Sequence, residues 1–255
     1  VHDGAAHVCS GAYEHTLLQQ SQGHDFRAFV VQGRAPQQAL GVSVRALPGY
    51  RRPADLRGRR VGVSAPGSST QVMASVLLAR AGVDAREVSF VGVGTGATAV
   101  AALRTGRVHA LCHADPIMSL LEHRGEVRLV SDLRTLTAAQ ELFGGAMPAS
   151  CLYAPQAFLH KEPMVAQALT NAIVHALKWL QTASPADLIK AVPASYVLGD
   201  RAVYLAAFNR VRETFSPNGL MPEDGPATAL RALAQAYPHM ASPRASLPRT
   251  FTHDL

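Results

Sequence analysis

The sequence predicts an α/β fold, and three observations carry the prediction. Of its 255 residues 48% are hydrophobic and 16% charged, which is enough apolar material for a substantial core and too little polar bias for disorder. Between Val61 and Leu133 short β-branched runs alternate with helical patterns, the signature of a parallel sheet with crossover helices. A weaker copy of one such unit opens the chain: Gly4 and His7 match Gly106 and His109, both at an offset of 102 positions. Length alone suits one large domain or two lobes. The copy favours two.

Taken in order, Val8-Cys9-Ser10 reads as a strand entering a helix through Ser10-Gly11-Ala12-Tyr13-Glu14-His15, and Phe29-Val30-Val31 as an apolar strand followed by Gly33-Arg34. Further strands are expected at Arg60–Val63, Val88–Val93, Val108–Cys112 and Val127–Val130. Helices fill the gaps from Ser69 to Ala81, Ala97 to Thr105 and Ile117 to His123, ended by or near Gly82, Gly106 and Gly125, since glycine takes the left-handed stop without steric cost. After Pro148 the pattern changes. Cys151–Ala154 reads as a strand and Pro163–Thr182 as a long helix whose apolar face runs through Val165, Leu169, Ile173, Leu177 and Leu180. Ser184 and Pro185 form a cap and first turn, further helices cover Arg201–Phe215 and Gly225–Ala236, and the tail from Tyr237 is expected to run extended along the surface.

The formal charge is +6, and 21 of the 24 basic residues are arginines, a bias that genome composition produces as easily as function. Arg51, Arg52, Arg57, Arg59 and Arg60 cluster before a strand, but no recognition motif or interleaved aromatic accompanies them, so no nucleic-acid partner is expected. Cys9, Cys112 and Cys151 are odd in number, far apart and set in apolar stretches, which excludes a disulfide framework. No apolar run is long enough to span a membrane.

Several segments could carry chemistry. Pro66-Gly67-Ser68-Ser69-Thr70 lies where a strand turns into a helix; free backbone N–H groups and three hydroxyls there make an anion site. Gly92-Val93-Gly94-Thr95-Gly96-Ala97 fits a dinucleotide fingerprint with Asp115 as the ribose acceptor, the basis of an alternative reading as an NAD(P)-dependent oxidoreductase. Against it, Gly92 sits inside a strand and Asp115 precedes Pro116 as a helix cap. His109 and His113 lie on a strand, where four residues span about 13 Å, so no metal site is expected. No nucleophile elbow or phosphate loop is present. Arg34 at a strand end could complete a small-anion clamp.

Together Ser10–His15, the phrase Asp55-Leu56-Arg57-Gly58-Arg59-Arg60-Val61-Gly62-Val63, Pro66–Thr70, Gly94–Ala99, Ala114-Asp115-Pro116, Cys151–Ala154 and Ala176-Leu177-Lys178-Trp179-Leu180 resemble the solute-binding proteins of bacterial ABC importers in the nitrate, sulfonate and taurine group. The chain is also similar to binding proteins for thiamine pyrimidine precursors. The resemblance implies a two-lobed periplasmic binding protein fold of type II, a Venus flytrap, with residues 1–40 and 150–255 in the first lobe, 41–149 in the second, and crossings near 36–46 and 146–152. Family members usually begin with a further strand, helix and strand, so the first lobe is expected to be truncated at its N-terminus. On this likeness Ser10, Gly11, Tyr13 and Arg34 of one lobe and Ser68, Ser69, Thr70, Thr95 and Asp115 of the other contact a small anion, an aliphatic sulfonate, taurine or nitrate-like. An aromatic or heterocyclic ligand would instead stack on Tyr13 and Tyr153. The implied protein is not an enzyme, needs no cofactor, works with ABC permease subunits, and is periplasmic, or exported and lipid-anchored.

Overall fold

A computed structural model describes residues 1, 4–241 and 246–254. Its strands are β1 (Cys9–Ala12), β2 (Phe26–Val31), β3 (Gln38–Ser43), β4 (Arg60–Val63), β5 (Ser89–Gly92), β6 (Ala110–Ala114), β7 (Val127–Leu133) and β8 (Ser150–Pro155). The helices are α1 (Glu14–Ser21), α2 (Ser69–Arg80), α3 (Ala97–Arg104), α4 (Ile117–His123), α5 (Leu136–Phe143), α6 (Gln156–Lys161), α7 (Pro163–Thr182), α8 (Pro185–Ala191), α9 (Ala194–Val197), α10 (Arg201–Val211) and α11 (Gly225–Ala236). The chain divides into two compact units: unit 1 holds Val1–Pro36, Leu136–Thr182 and Arg212–Leu255, and unit 2 holds Gln37–Thr135 and Ala183–Val211.

Unit 2 is built on a five-stranded sheet of order β5-β4-β6-β3-β7. β4 runs parallel to β5 and β6, while β3 is antiparallel to both β6 and β7. α2 starts where Ser68 caps it, its side chain accepting from the Gln71 N–H, and stops at Gly82 with φ +73°. The apolar sides of α3 and α4 bury Val100, Leu103, Ile117, Met118 and Leu121 against Leu111 of the sheet. Residues 183–211, expected in the first lobe, belong to unit 2 because α10 packs on α4, with Val203 in that cluster and Arg210 bonded to Glu122 at 2.8 Å.

Unit 1 carries a three-stranded sheet of order β1-β8-β2, with β8 antiparallel to both neighbours. That order and sense repeat β6-β3-β7 of unit 2: β1-α1-β2 corresponds to β6-α4-β7, and β8 to β3. Gly4 and Gly106, paired by the sequence copy, take positive φ of 77° and 72° just ahead of β1 and β6. In unit 2, β4 covers the outer edge of β6; among the described residues no strand pairs with the corresponding edge of β1. The tail is tied down at its end, where the Ala28 N–H donates to Thr250 O at 2.9 Å and the Thr252 N–H to Ala28 O at 2.9 Å. Residues 242–245 of that tail lie outside the described residues.

Candidate functional site

Parallel strands place their carboxyl ends together, and the turns that follow them are where open α/β sheets hold ligands. In unit 2 those turns are Ser64–Ser68 after β4, Val93–Gly96 after β5 and Asp115–Pro116 after β6. They are knitted to one another. The Gly94 N–H donates to Ser64 O at 3.0 Å, and His113 Nε2 is 2.9 Å from Gly94 O while the Ala114 N–H donates to His113 Nδ1. Burial holds the His113 imidazole below its usual range against the opposing pull of those backbone bonds, so the neutral ring is a structural strut. Gly94 needs its positive φ of 78°, and the Thr98 hydroxyl, donating to Val93 O at 2.7 Å, fills the space beside it.

The three expected hydroxyls of the first turn separate in role. Ser68 is the cap, and its Oγ lies 2.8 Å from that of Thr70; the buried Thr70 Oγ1 also accepts the Ser64 N–H at 2.8 Å. Both are spent on the turn itself. Ser69 is the one that looks outward from this network, and its Oγ takes a 3.0 Å bond from Gln38 Nε2. The N–H groups of Ser69 and Thr70 lie in the first turn of α2, where no intrahelical acceptor exists. Gln38, at the start of β3, is 7% exposed and its Oε1 is buried without a partner. Turned over, the same amide accepts from Ser69 Oγ and leaves an N–H unpartnered; the hydrogen-bond network decides which. Spacing gave no hint of Gln38, since a glutamine 31 positions from Ser69 carries no motif.

Thr95 is exposed on the neighbouring turn. Asp115 is turned away: Oδ1 accepts the Ser119 N–H at 2.8 Å and Arg134 Nη1 at 3.3 Å, and its side chain is buried. An aspartate engaged in this way is not free to read a ribose, and Gly92 packs against Pro66 inside the sheet, so the dinucleotide reading loses both its anchors.

The unit 1 candidates also sort by environment. Ser10 is exposed on β1, with Oγ donating to Gln32 Oε1 at 3.5 Å. Gly11 makes room for a neighbour, because a Cβ there would lie 2.9 Å from the Tyr153 ring. Tyr13 is fully buried and its hydroxyl bonds Thr250 Oγ1, so the sequence expectation of a ligand-facing ring meets a core side chain instead. Tyr153 is likewise buried, edge-on to His15 and Phe26, which removes it as an exposed stacking platform. Arg34 Nη2 donates to Glu213 O at 2.7 Å and its N–H to Thr214 O. With Gln140, Met147, Asn218 and Asp224 it lines a cavity of about 500 Å³.

Two α/β units joined by four passages of the chain, with polar turns at the strand ends, define the class: this is the fold of the periplasmic solute-binding proteins of ABC import systems. A solved protein from Bordetella bronchiseptica RB50 is 52% identical over all of this chain and 80% of its own, with a TM-score of 0.96. The alkanesulfonate-binding protein SsuA from Xanthomonas axonopodis pv. citri bound to MOPS is 20% identical over 98% of this chain and 81% of its own, at TM-score 0.66. The periplasmic nitrate-binding protein NrtA from Synechocystis PCC 6803 is 13% identical over 99% and 73%, at 0.68. The chain belongs to the NMT1/THI5-like family, whose model matches residues 1–186. No curated protein matches it by sequence.

Proposed function

We propose that this protein is the solute-capturing component of an ABC importer, that its ligand is a small anion of the sulfonate, taurine or nitrate kind, and that the first turn of α2 receives the anionic group. The observation that carries this reading is the first turn of α2, where N–H groups without an intrahelical acceptor stand beside the Ser69 hydroxyl, itself oriented by the buried Gln38 amide at 3.0 Å. An anionic oxygen at that turn takes the N–H groups and the Ser69 hydroxyl proton, which stays free because Gln38 Nε2 donates to Ser69 Oγ. Ser68 and Thr70 hold the turn's shape, Thr95 borders it, and Asp115 acts through Arg134 on the fold of unit 2. In unit 1, Ser10 and Arg34 keep polar atoms toward solvent and are the residues there that we assign to ligand; Gly11 and Tyr13 shape the strand end. Delivery to permease subunits from the periplasm, in a free or lipid-anchored form, follows from the reading, as does the absence of bond chemistry.

Titration calorimetry against nitrate, short alkanesulfonates, taurine and carboxylates tests it. At least one of these is expected to bind; Ser69→Ala is expected to weaken it about tenfold, the loss of one charge-assisted hydrogen bond, and Gln38→Met, which leaves the Ser69 hydroxyl unheld, to weaken it by less in the same direction. No binding by any probe, or unaltered binding in both variants, would overturn the assignment.

A further inference from the structure

The excess positive charge of this chain is not spread over it. Unit 2 carries 16 Lys and Arg against nine Asp and Glu, whereas unit 1 carries eight against nine. Genome composition acts on the whole reading frame and would load both units alike, so it does not account for the difference. Within unit 2 the surplus gathers at the amino-terminal ends of β4, β5 and β6, opposite the turns of the candidate ligand site. The contacts fix this convergence. The Ser89 N–H donates to Arg59 O at 2.9 Å, the His109 N–H to Arg60 O at 2.8 Å, Arg60 Nε to Arg107 O at 2.6 Å, and Arg45 Nη1 to Arg104 O at 3.5 Å.

Arg45, Arg51, Arg52, Arg59 and Arg60 are exposed there, Arg107 is exposed beside them with its Nη2 3.4 Å from Gly92 O at the carboxyl end of β5, and none of the six has a carboxylate within ion-pair distance among the described residues. The acids of the same end are engaged elsewhere: Asp84 with Arg86, Glu87 with Arg57 and Glu126 with Arg104. Asp55 takes the backbone N–H groups of Arg51 and Arg52. His109 lies among them, its imidazole held below the ordinary range by burial and then by the charges of Arg60 and Arg59, and it brings no negative charge to offset theirs. Helix dipoles explain Arg80 and Arg104, which close α2 and α3, but not the six, which sit on loops and strand starts.

We propose that this arginine face docks unit 2 onto an anionic phospholipid surface. A protein partner would need buried aromatic or large aliphatic anchors at the centre of the patch, and a single-stranded nucleic acid would need stacking platforms. The face offers neither: its one exposed large hydrophobe is Val44, and its aromatic Tyr50 is buried with its carbonyl held by Arg128. Guanidinium groups without a carboxylate partner and without an apolar centre suit a partner that supplies many mobile negative charges, as lipid headgroups do. The face lies at the opposite end of the strands from Ser69 and Gln38, so this inference stands or falls independently of the ligand reading.

Sedimentation of the full chain with vesicles tests it. With one-third phosphatidylglycerol in phosphatidylcholine the chain is expected to partition onto the vesicles at about 0.05 M salt, to be released at about 0.5 M, and to ignore pure phosphatidylcholine. Arg45→Ser, Arg51→Ser, Arg52→Ser and Arg59→Ser together should lower partitioning at least about tenfold, and the pair Arg51→Ser with Arg52→Ser should lower it by less in the same direction. Lys161→Ser, Lys178→Ser and Arg231→Ser together, which remove three charges from unit 1, should leave it unchanged. Circular dichroism checks that each variant folds. The proposal is overturned if the wild type ignores the charged vesicles, if it binds them but the arginine pair changes nothing, or if duplex DNA competes the vesicles away at lower charge concentration.

Discussion

Arg134 has no exposed surface, and the pattern that encloses it is written in its partners: Asp132 Oδ2 at 2.7 Å, Glu122 Oε2 at 2.9 Å, Asp115 Oδ1 at 3.3 Å and Ser119 Oγ at 3.1 Å. Burial alone would raise the carboxyls of Asp132 and Glu122, yet the guanidinium bonds from Arg134, and from Arg210 on Glu122, hold both below their ordinary range. Their contribution to stability is present above the usual carboxylate range and is lost as pH falls through the lowered values. Removing the cation leaves the buried Asp115 and the half-buried Asp132 without it, while Glu122 keeps Arg210, so Arg134→Met is expected to cost about 2–4 kcal/mol, read by denaturant unfolding at neutral pH. Glu14 has the opposite sign. Fully buried at the start of α1, its carboxyl is raised by desolvation, against its own backbone N–H, from 4.5 to about 7. The native state therefore binds a proton that the unfolded chain has released, and stability falls as pH rises from about 4.5 to 7. Glu14→Gln should flatten that slope and stabilise the protein at pH 8 by up to about 3 kcal/mol, with no gain at pH 4; an unchanged pH profile would refute the assignment.

At the scale of elements, most of the fold was legible where a local signal exists. Ser68 and Ser184 announce α2 and α8 because a capping hydroxyl is a local bond, and α7 spans Pro163–Thr182 as its periodicity requires. β3 was not legible: Gln-Ala-Leu-Gly-Val-Ser is fully buried because β6 and β7 flank it, which is a tertiary fact that no alternation records. Gln38 and the burial of Tyr13 escaped for the same reason, since their partners lie 31 and 237 positions away. In α7 the periodic face overstated burial, for only Ala166 and Leu177 are fully enclosed while Met164 is 79% exposed. Leu177→Ala is accordingly expected to cost about 2–5 kcal/mol and Met164→Ala less than about 0.5 kcal/mol by thermal unfolding. The loop between α5 and β8 has the reverse sensitivity. A Cβ at Gly145 would lie 2.5 Å from Asp224 Oδ2 and 2.7 Å from Thr228 Oγ1, so Gly145→Ala should destabilise unit 1 by about 1–3 kcal/mol.

For the whole molecule, the two sheets share three strands in one order, and the difference between them is what each adds: β4 and β5 in unit 2, and in unit 1 the short parallel bridge between Ala28 and Phe251. That bridge comes from the last residues of the chain, with Thr250 fully buried beneath Tyr13 and Arg249 paired to Asp25 at 2.6 Å. Removal of residues 247–255 is therefore expected to unfold unit 1 while leaving the amide-exchange protection of β4 and β6 in place. The same stitching has a temporal meaning. A chain made from its N-terminus can pair β3, β4, β6 and β7 early, but Tyr13 must wait for a threonine made 237 positions later. Until then β2 presents an open edge, and a factor that holds emerging chains has a defined interval in which to find it.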